Sequence, residues 1–112
     1  MKLTITIERK KNKSELIKLS GIMNAETIHD FREHIVRISQ SNLNLIVLDL
    51  EMLEEIDSSG VGAIISLLKH LRLKNGELRI LKIRGAVKKL FELLQIDRGL
   101  DIYENVEQAF PA

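Results

Sequence analysis

The chain of 112 residues is 45% hydrophobic and 29% charged, carries a formal net charge of +1 and contains no cysteine. Its length and composition predict one soluble globular domain over residues 1–112, and its apolar runs are far short of the roughly 20 residues of a membrane-spanning helix. The near-zero charge excludes recruitment of nucleic acid by a bulk field, and the lack of cysteine excludes disulfides, thiolate catalysis and cysteine-bound zinc. The N-terminus lacks the apolar core of a signal peptide, so we expect a cytoplasmic protein.

The N-terminal segment is predicted to form a β-hairpin. Apolar and polar residues alternate from Leu3 to Glu8, which is the period of a half-buried strand. A polar turn follows at residues 10–13, and the apolar stretch from Leu16 to Leu19 predicts a second strand. We expect this second strand to end at Gly21.

A first helix is predicted after the hairpin. Asn24 is a favourable N-cap residue, and apolar residues then recur at helical spacing, at positions 28, 31, 35 and 38. We therefore expect a helix from about Ala25 to Ser39, after which the polar residues 40–42 return the chain to the sheet.

The next strand is predicted to be the centre of the sheet. Leu45–Leu50 is a continuous apolar run of strand length, which is typical of a strand covered on both faces. We expect a short acidic connection to follow it, with Glu51, Glu54 and Glu55. The chain then opens an apolar helix with the sequence Asp57-Ser58-Ser59-Gly60-Val61-Gly62.

The beginning of this second helix is the candidate functional site. Serine and aspartate side chains accept hydrogen bonds from the free N–H groups of a first helical turn, and the positive end of the helix dipole tolerates an anion such as a phosphate. The two glycines allow another backbone or a partner surface to come close. From the local sequence alone, Ser58 is either a simple N-cap or a phosphate acceptor.

The second helix is predicted to lead into a parallel strand. Its apolar stripe consists of Val61, Ile64, Ile65, Leu68 and Leu71. Asn75-Gly76 is typical of a left-handed C-terminal cap, and Leu78 and Ile80, with Ile83 as a further candidate, predict the strand. Two strands joined by one helix are most simply parallel, so this part of the chain is predicted to be a βαβ unit.

The C-terminal part is predicted to add a helix, a short strand and a helical turn. We expect the helix from about Ala86 to Leu94, and the strand near Leu100–Tyr103. The residues expected to point inward from the helix are Val87, Leu90, Phe91 and Leu94. Asn105, with Gln108 three residues later, indicates a capping box at the start of the final turn.

Taken in this order, the elements and motifs resemble the STAS domain of bacterial anti-sigma-factor antagonists. The resemblance extends from about Leu3 to Phe110. Its most specific pieces are Leu19-Ser20-Gly21, Ile46-Val47-Leu48-Asp49-Leu50, Ile56-Asp57-Ser58-Ser59-Gly60-Val61-Gly62, Asn75-Gly76-Glu77 and Ala86-Val87-Lys88-Lys89-Leu90-Phe91. It implies an α/β fold, a STAS-like domain with a mixed β-sheet, an N-terminal hairpin, a βαβ core and helices packed mainly on one face.

The resemblance also implies a binding module controlled by phosphorylation, with no enzymatic activity and no cofactor of its own. In the family, an anti-sigma factor that is itself a serine kinase phosphorylates the serine after the signature aspartate, here Ser58, and a serine phosphatase removes the phosphate. The unphosphorylated antagonist sequesters the anti-sigma factor, which frees a sigma factor. The residues expected to form the docking surface are Asn24, Glu54, Glu55, Asp57, Ser58, Ser59, Gly60, Val61 and Gly62.

The sequence departs from the family pattern at one position and leaves some alternatives open. Many antagonists carry an aspartate where this chain has Asn24, which caps a helix equally well but adds no charge. Ser59 is the alternative phosphate acceptor. STAS domains also resemble subunits of lipid or anion transport systems and of stress-signalling scaffolds, in which the same groove docks an ATPase or another domain. The oligomeric state is not determined by the sequence.

Other kinds of site are not supported by the residue patterns. Gly60-Val61-Gly62 lacks the third glycine of a dinucleotide fingerprint, and Asp57 stands where a hydrolase elbow around Ser59 requires glycine. No metal is predicted, because the three histidines, His29, His34 and His70, are not at metal-binding spacing. One basic set consists of Arg79, Lys82, Arg84, Lys88 and Lys89. Because only 4% of the residues are aromatic, we interpret it as a solvated face rather than an RNA-binding site.

Overall fold

The computed structural model describes residues 2–110. Its strands are β1 (Leu3–Lys10), β2 (Ser14–Met23), β3 (Leu45–Ile56), β4 (Glu77–Leu81) and β5 (Asp101–Tyr103), and its helices are α1 (Ile28–Ser39), α2 (Ser58–Leu73), α3 (Gly85–Leu93) and α4 (Val106–Ala109), with a 3₁₀ turn at Ile96–Gly99. The strands form one sheet in the order β1-β2-β3-β4-β5. The β1–β2 pair is antiparallel and the other pairs are parallel, so the predicted mixed sheet with an N-terminal hairpin is confirmed.

The core lies mainly on one face of the sheet. Alternate residues of β3, Ile46, Leu48 and Leu50, pack in a single cluster with buried side chains of α1, α2 and α3. On the opposite face, here called the far face, α4 is the only helix of residues 2–110 that packs on a smaller cluster, which includes Leu16 and Val47. The predicted βαβ core and the placement of helices mainly on one face are therefore confirmed. None of the helices in residues 2–110 is long and apolar enough to cross a membrane.

The central strand is longer than predicted. β3 runs to Ile56, so the segment expected to be a short acidic connection is strand that pairs with the end of β2. The register shifts twice, between Lys18 and Ser20 and again between Gly21 and Ile22, and both times β3 carries the extra residue. Such bulges break the two-residue alternation of a strand, because an extra residue shifts the side chains that follow it to the opposite face of the sheet. In residues 51–56 only Leu53 is buried, and the glutamates all face solvent.

The junction between β2 and α1 also differs from the prediction. Gly21 does not end the strand, because β2 continues to Met23. Gly21 instead lies at the second bulge with φ +101°, and a Cβ at this position would clash with the carbonyl oxygen of Lys2. α1 begins at Ile28 rather than at Ala25, because residues 25–27 form a turn in front of the helix.

The remaining elements follow the prediction with small differences in burial. In α2, Ala63 and Leu67 are buried, whereas Ile65 and Leu68 are only partly so. Asn75 alone adopts the left-handed conformation at the end of α2, with φ +59°. Leu94 was predicted to point inward from the third helix and is 51% exposed, because α3 ends one residue earlier.

Candidate functional site

Asp57 is the residue that caps α2. Its Oδ1 accepts a hydrogen bond from the backbone N–H of Gly60 at 3.0 Å, as expected of a residue in the N-cap position. Its Oδ2 accepts a second bond, at 3.3 Å, from the N–H of Ala25 in the turn before α1. One carboxylate therefore joins the beginning of α2 to a turn that lies 32 residues earlier in the chain.

Ser58, the first residue of α2, is exposed and is not the cap. Among residues 2–110, its hydroxyl has no hydrogen-bond partner, since Asp57 performs the capping. The backbone N–H groups of Ser58 and Ser59 also lack acceptors within this part of the chain, as is usual for the first turn of a helix. The interpretation of Ser58 as a simple N-cap is therefore wrong, and its Oγ lies at the positive end of a 16-residue helix.

Asn24 caps the turn that precedes α1 rather than the helix itself. Its Oδ1 accepts hydrogen bonds from the N–H groups of Glu26 and Thr27, at 2.9 and 3.1 Å. The hydroxyl of Thr27 in turn accepts from the N–H of Asn24 and donates to the carbonyl oxygen of Ile22, at 2.9 and 2.7 Å. This reciprocal pattern holds the turn rigidly beside the start of α2. Thr27 was not among the predicted site residues, although a threonine three residues after an asparagine was a detectable signal.

The structure brings three of the predicted site residues around one depression. Asn24, Glu55 and Asp57 line an open hollow of about 160 Å³ between the turn before α1 and the end of β3. Glu54 lies beside it on β3 and, like Glu55, is exposed. Neither glutamate has a basic group within ion-pair distance among residues 2–110. The site is therefore acidic and open to solvent.

The glycine motif at the start of α2 has two different environments. Gly60 is buried, and a Cβ there would lie 2.5 Å from the Ile56 side chain and 2.9 Å from the carbonyl oxygen of Met23. Val61 is also buried, with 6% of its surface exposed. Gly62 is exposed, and nothing lies within 4 Å of a Cβ built on it. Gly60 thus lets α2 pack closely against the sheet. Gly62, in contrast, leaves the exposed side of the first turn without a side chain.

The other singled-out residues lie away from this site. Three members of the basic set lie within 4 Å of carboxylates: Arg79 with Glu77, Lys82 with Glu51, and Arg84 with Glu104. His29 lies 3.2 Å from Glu33, and His70 Nδ1 lies 2.8 Å from the carbonyl oxygen of Ser66. Within residues 2–110, no group of three potential metal-ligating side chains converges.

Comparison with known proteins places this architecture in a family. The profile of the STAS domain matches residues 6–109. The anti-sigma F factor antagonist of Paenibacillus polymyxa is 29% identical over 92% of this chain and 90% of its own length. The anti-sigma-B factor antagonist of Staphylococcus aureus is 26% identical over 81% of this chain and 84% of its own length.

A solved structure shares the fold at lower identity. The Bacillus cell fate determinant SpoIIAA, in its phosphorylated form, superposes with a TM-score of 0.78 at 21% identity, covering 95% of this chain and 96% of its own. Its unphosphorylated form gives a TM-score of 0.76 at 22% identity, covering 94% and 92%. The resemblance inferred from the sequence is thus confirmed: the chain belongs to the STAS domain family, and its curated relatives are anti-sigma factor antagonists.

Proposed function

We propose that this protein is an anti-sigma-factor antagonist whose binding is controlled by phosphorylation of Ser58. With Ser58 unmodified, it sequesters an anti-sigma factor that is also a serine kinase, and a sigma factor is released. Transfer of a phosphate from ATP to the Ser58 hydroxyl by that kinase ends the interaction, and a separate serine phosphatase restores it. The protein itself acts as substrate and binding module rather than as enzyme.

The observation that carries this proposal is the exposed Ser58 hydroxyl, which has no partner within residues 2–110 although it stands beside the cap of α2. A phosphate acceptor must be reachable by a kinase, and a hydroxyl engaged in capping would have to give up its bond first. Ser59 is partly buried, so it is the less accessible acceptor. The names of the curated relatives support an antagonist of an anti-sigma factor, and a SpoIIAA structure in a phosphorylated form supports control by phosphorylation. The choice of Ser58 as the acceptor depends on its exposure and on the family resemblance.

The local electrostatics predict that the domain tolerates the phosphate and its partner does not. A phosphoserine adds about −1.5 to −2 charges. The positive end of the α2 dipole and the free N–H groups of Ser58 and Ser59 stabilise an anion at this position. Glu54, Glu55 and Asp57 already make the surface acidic, so the dianion increases like-charge repulsion and the cost of desolvation when a partner closes over it.

The test combines capture with phosphorylation. The wild-type protein and its Ser58→Ala and Ser58→Asp variants are used to capture partners from cells of the source organism, and the captured proteins are identified by mass spectrometry. The proposal predicts a kinase-type anti-sigma factor with the wild type and with Ser58→Ala, and none with Ser58→Asp. The purified partner, given ATP and Mg²⁺, should then add one phosphate to the wild type at Ser58.

Matched variants make the result decisive. Ser59→Ala should still accept the phosphate, whereas Ser58→Ala should not. Phosphate on Ser59 or elsewhere, with Ser58 unmodified, would overturn the assignment of the acceptor. Capture of a transporter ATPase or a scaffold component instead of a kinase-type protein, equally by all three forms, would favour the transport or stress-signalling class.

A further inference from the structure

The far face of the sheet is only half covered. The cross-strand register aligns Leu16 with Val47, and these residues pack under α4. The next row along the strands places Thr6, Lys18 and Asp49 side by side. On this polar half, no helix of residues 2–110 covers the sheet, and an open cavity of about 270 Å³ lies there. Its polar lining consists of Thr6, Lys18, Ser20, Asp49, Glu51 and Lys82.

Asp49 is the unusual residue of this cavity. It lies in the middle of the central strand and is only 9% exposed, the most enclosed position among the aspartates of residues 2–110. Its Oδ1 accepts the backbone N–H of Glu51 at 3.0 Å. Its Oδ2 has no hydrogen-bond or ion-pair partner among the described residues. Within residues 2–110 no buried side-chain oxygen lacks a hydrogen-bond partner, so Oδ2 is open to solvent, and Asp49 presents it in the cavity as an acceptor without a protein donor.

The neighbouring lysine does not supply that donor. Lys18 is the register partner of Asp49 on β2, yet within residues 2–110 its ammonium group lies more than 4 Å from any carboxylate. The hydroxyls of Thr6 and Ser20 make no hydrogen bonds within the same part of the chain. Lys82 is already near a carboxylate, at 3.9 Å from Glu51. Within residues 2–110, the cavity therefore combines a carboxylate oxygen without a donor, an ammonium group that acts on Glu8 only through its charge, and two hydroxyls without hydrogen bonds.

We propose that this cavity binds a small zwitterion, with the ligand's ammonium group on Asp49 and its anionic group on Lys18 and the adjacent hydroxyls. The volume lies just under the range of about 300–1,000 Å³ that holds drug-sized ligands, which suits a compact molecule. Asp49 and Lys18 stand on adjacent strands about 4.8 Å apart, so the ligand's two charges are separated by a few bonds. Ser58 does not line the cavity, and the inference is independent of the proposed phosphorylation.

The test is a titration of the isotope-labelled protein followed by amide NMR shifts. The probe is 4-aminobutyrate. The matched controls are butylamine, which keeps only the ammonium group, and butyrate, which keeps only the carboxylate. We expect saturable shifts at the amides of Thr6, Lys18 and Asp49 with the probe. Each control should bind more weakly, by about tenfold or more, because it lacks one charged group and therefore one charge-assisted hydrogen bond.

Two variants separate binding from folding. Asp49→Asn keeps an oxygen that accepts from the N–H of Glu51 but loses the charge, and Lys18→Gln alters an exposed residue. Each should weaken binding about tenfold or more, whereas Ser58→Ala should bind like the wild type. The proposal is wrong if the wild type shows no saturable shifts with the zwitterion at millimolar concentration, or if both variants bind it as tightly as the wild type. It is also wrong if butylamine or butyrate alone binds equally well.

Discussion

Asp57 accepts a hydrogen bond from the backbone N–H of Ala25, and through it the first turn of α2 is tied to the turn that precedes α1. The same turn is fixed internally by Asn24 and Thr27. The candidate docking surface is therefore assembled from two segments that are distant in sequence. Because a carboxylate at the junction holds both, loss of Asp57 should affect stability and docking together.

Replacing Asp57 with alanine is expected to lower the free energy of unfolding by about 1–2 kcal/mol, since it removes an N-cap and the bond to Ala25. Chemical denaturation measures the change, and amide exchange should become faster at residues 25–27. Ser58→Ala is the matched control, because that hydroxyl makes no bond within residues 2–110, and it should change stability by less than about 0.5 kcal/mol. Equal losses in the two variants would contradict the capping role of Asp57.

Phosphorylation of Ser58 is expected to leave the fold unchanged while it weakens partner binding sharply. The added dianion lies at the favourable end of the α2 dipole, so the circular-dichroism spectrum should be retained and the melting temperature should not fall. Part of the repulsion from Glu54 and Glu55 is screened by salt, so residual binding of the phosphorylated form should increase with ionic strength. Loss of the spectrum on phosphorylation would show that the switch acts by unfolding instead.

The order of elements could be predicted from the sequence because most of them carry strong periodic patterns. The strand Leu45–Leu50 and the apolar stripe of the second helix were identified from spacing alone. The extension of β3 to Ile56 was missed because its two bulges abolish the alternation on which strand prediction depends. Its glutamates therefore had the composition of a loop, although their backbone belongs to the sheet.

The chemistry of the site was only partly predictable for a related reason. Ser58 was singled out as the phosphate acceptor by the family resemblance, because the local sequence is equally compatible with a simple N-cap. Whether Asp57 or Ser58 caps the helix depends on backbone geometry that the residue types do not determine. The bond from Ala25 to Asp57 joins residues 32 positions apart and has no local signature. The pairing of Glu15 with Arg37 likewise depends on how α1 lies over β2, which spacing within either element does not reveal.

An ion pair between a buried carboxylate and a partly exposed guanidinium is expected to make α1 sensitive to single substitutions. Glu15 is 1% exposed and accepts from both terminal nitrogens of Arg37, at 2.6 and 3.2 Å. Within residues 2–110, Arg37→Met leaves the carboxylate with only Arg9, whose Nε lies 3.6 Å away, and should cost about 1.5–3 kcal/mol in a denaturation experiment. The double replacement of Glu15 and Arg37 by methionine should recover most of that loss. Arg32→Met, at an exposed position on the same helix, is the control and should be nearly neutral.

Lys74, which follows α2 in the sequence, is expected to stabilise the end of α1. Its ammonium group donates to the carbonyl oxygens of Ile38 and Ser41, at 2.7 and 2.9 Å, and burial lowers the pKa of this amine. Lys74→Met keeps the aliphatic chain and removes both bonds, so we expect a loss of about 1–2 kcal/mol. Lys69→Met, at an exposed site on α2, should leave the denaturation midpoint unchanged. An equally large loss of stability in Lys69→Met would mean that the removal of a positive charge, and not the loss of these two hydrogen bonds, destabilises the protein.

His34 is expected to make stability depend on pH in mildly acidic solution. Burial, and then the charge of Arg37, lower the pKa of its imidazole below 6.5, although Glu15, Asp30 and Glu33 oppose this change. Arg37 Nε donates to His34 Nδ1 at 3.3 Å, a bond that requires the neutral ring. Because the unfolded chain then binds a proton more readily than the folded one, the contribution of His34 is complete above about pH 6.5 and declines as the pH falls toward its folded pKa.

Thermal unfolding measured across this range checks the sign of the effect. His34→Gln should flatten the part of the pH profile just below 6.5, since it removes the titrating group while an amide can still accept from Arg37. His29→Gln is the matched control, because His29 lies on the same helix with 81% of its side chain exposed and, within residues 2–110, pairs only with the exposed Glu33. The profile of this control should follow that of the wild type. If the wild type became more stable on acidification through this range, and His34→Gln did not, the folded state would favour the protonated ring.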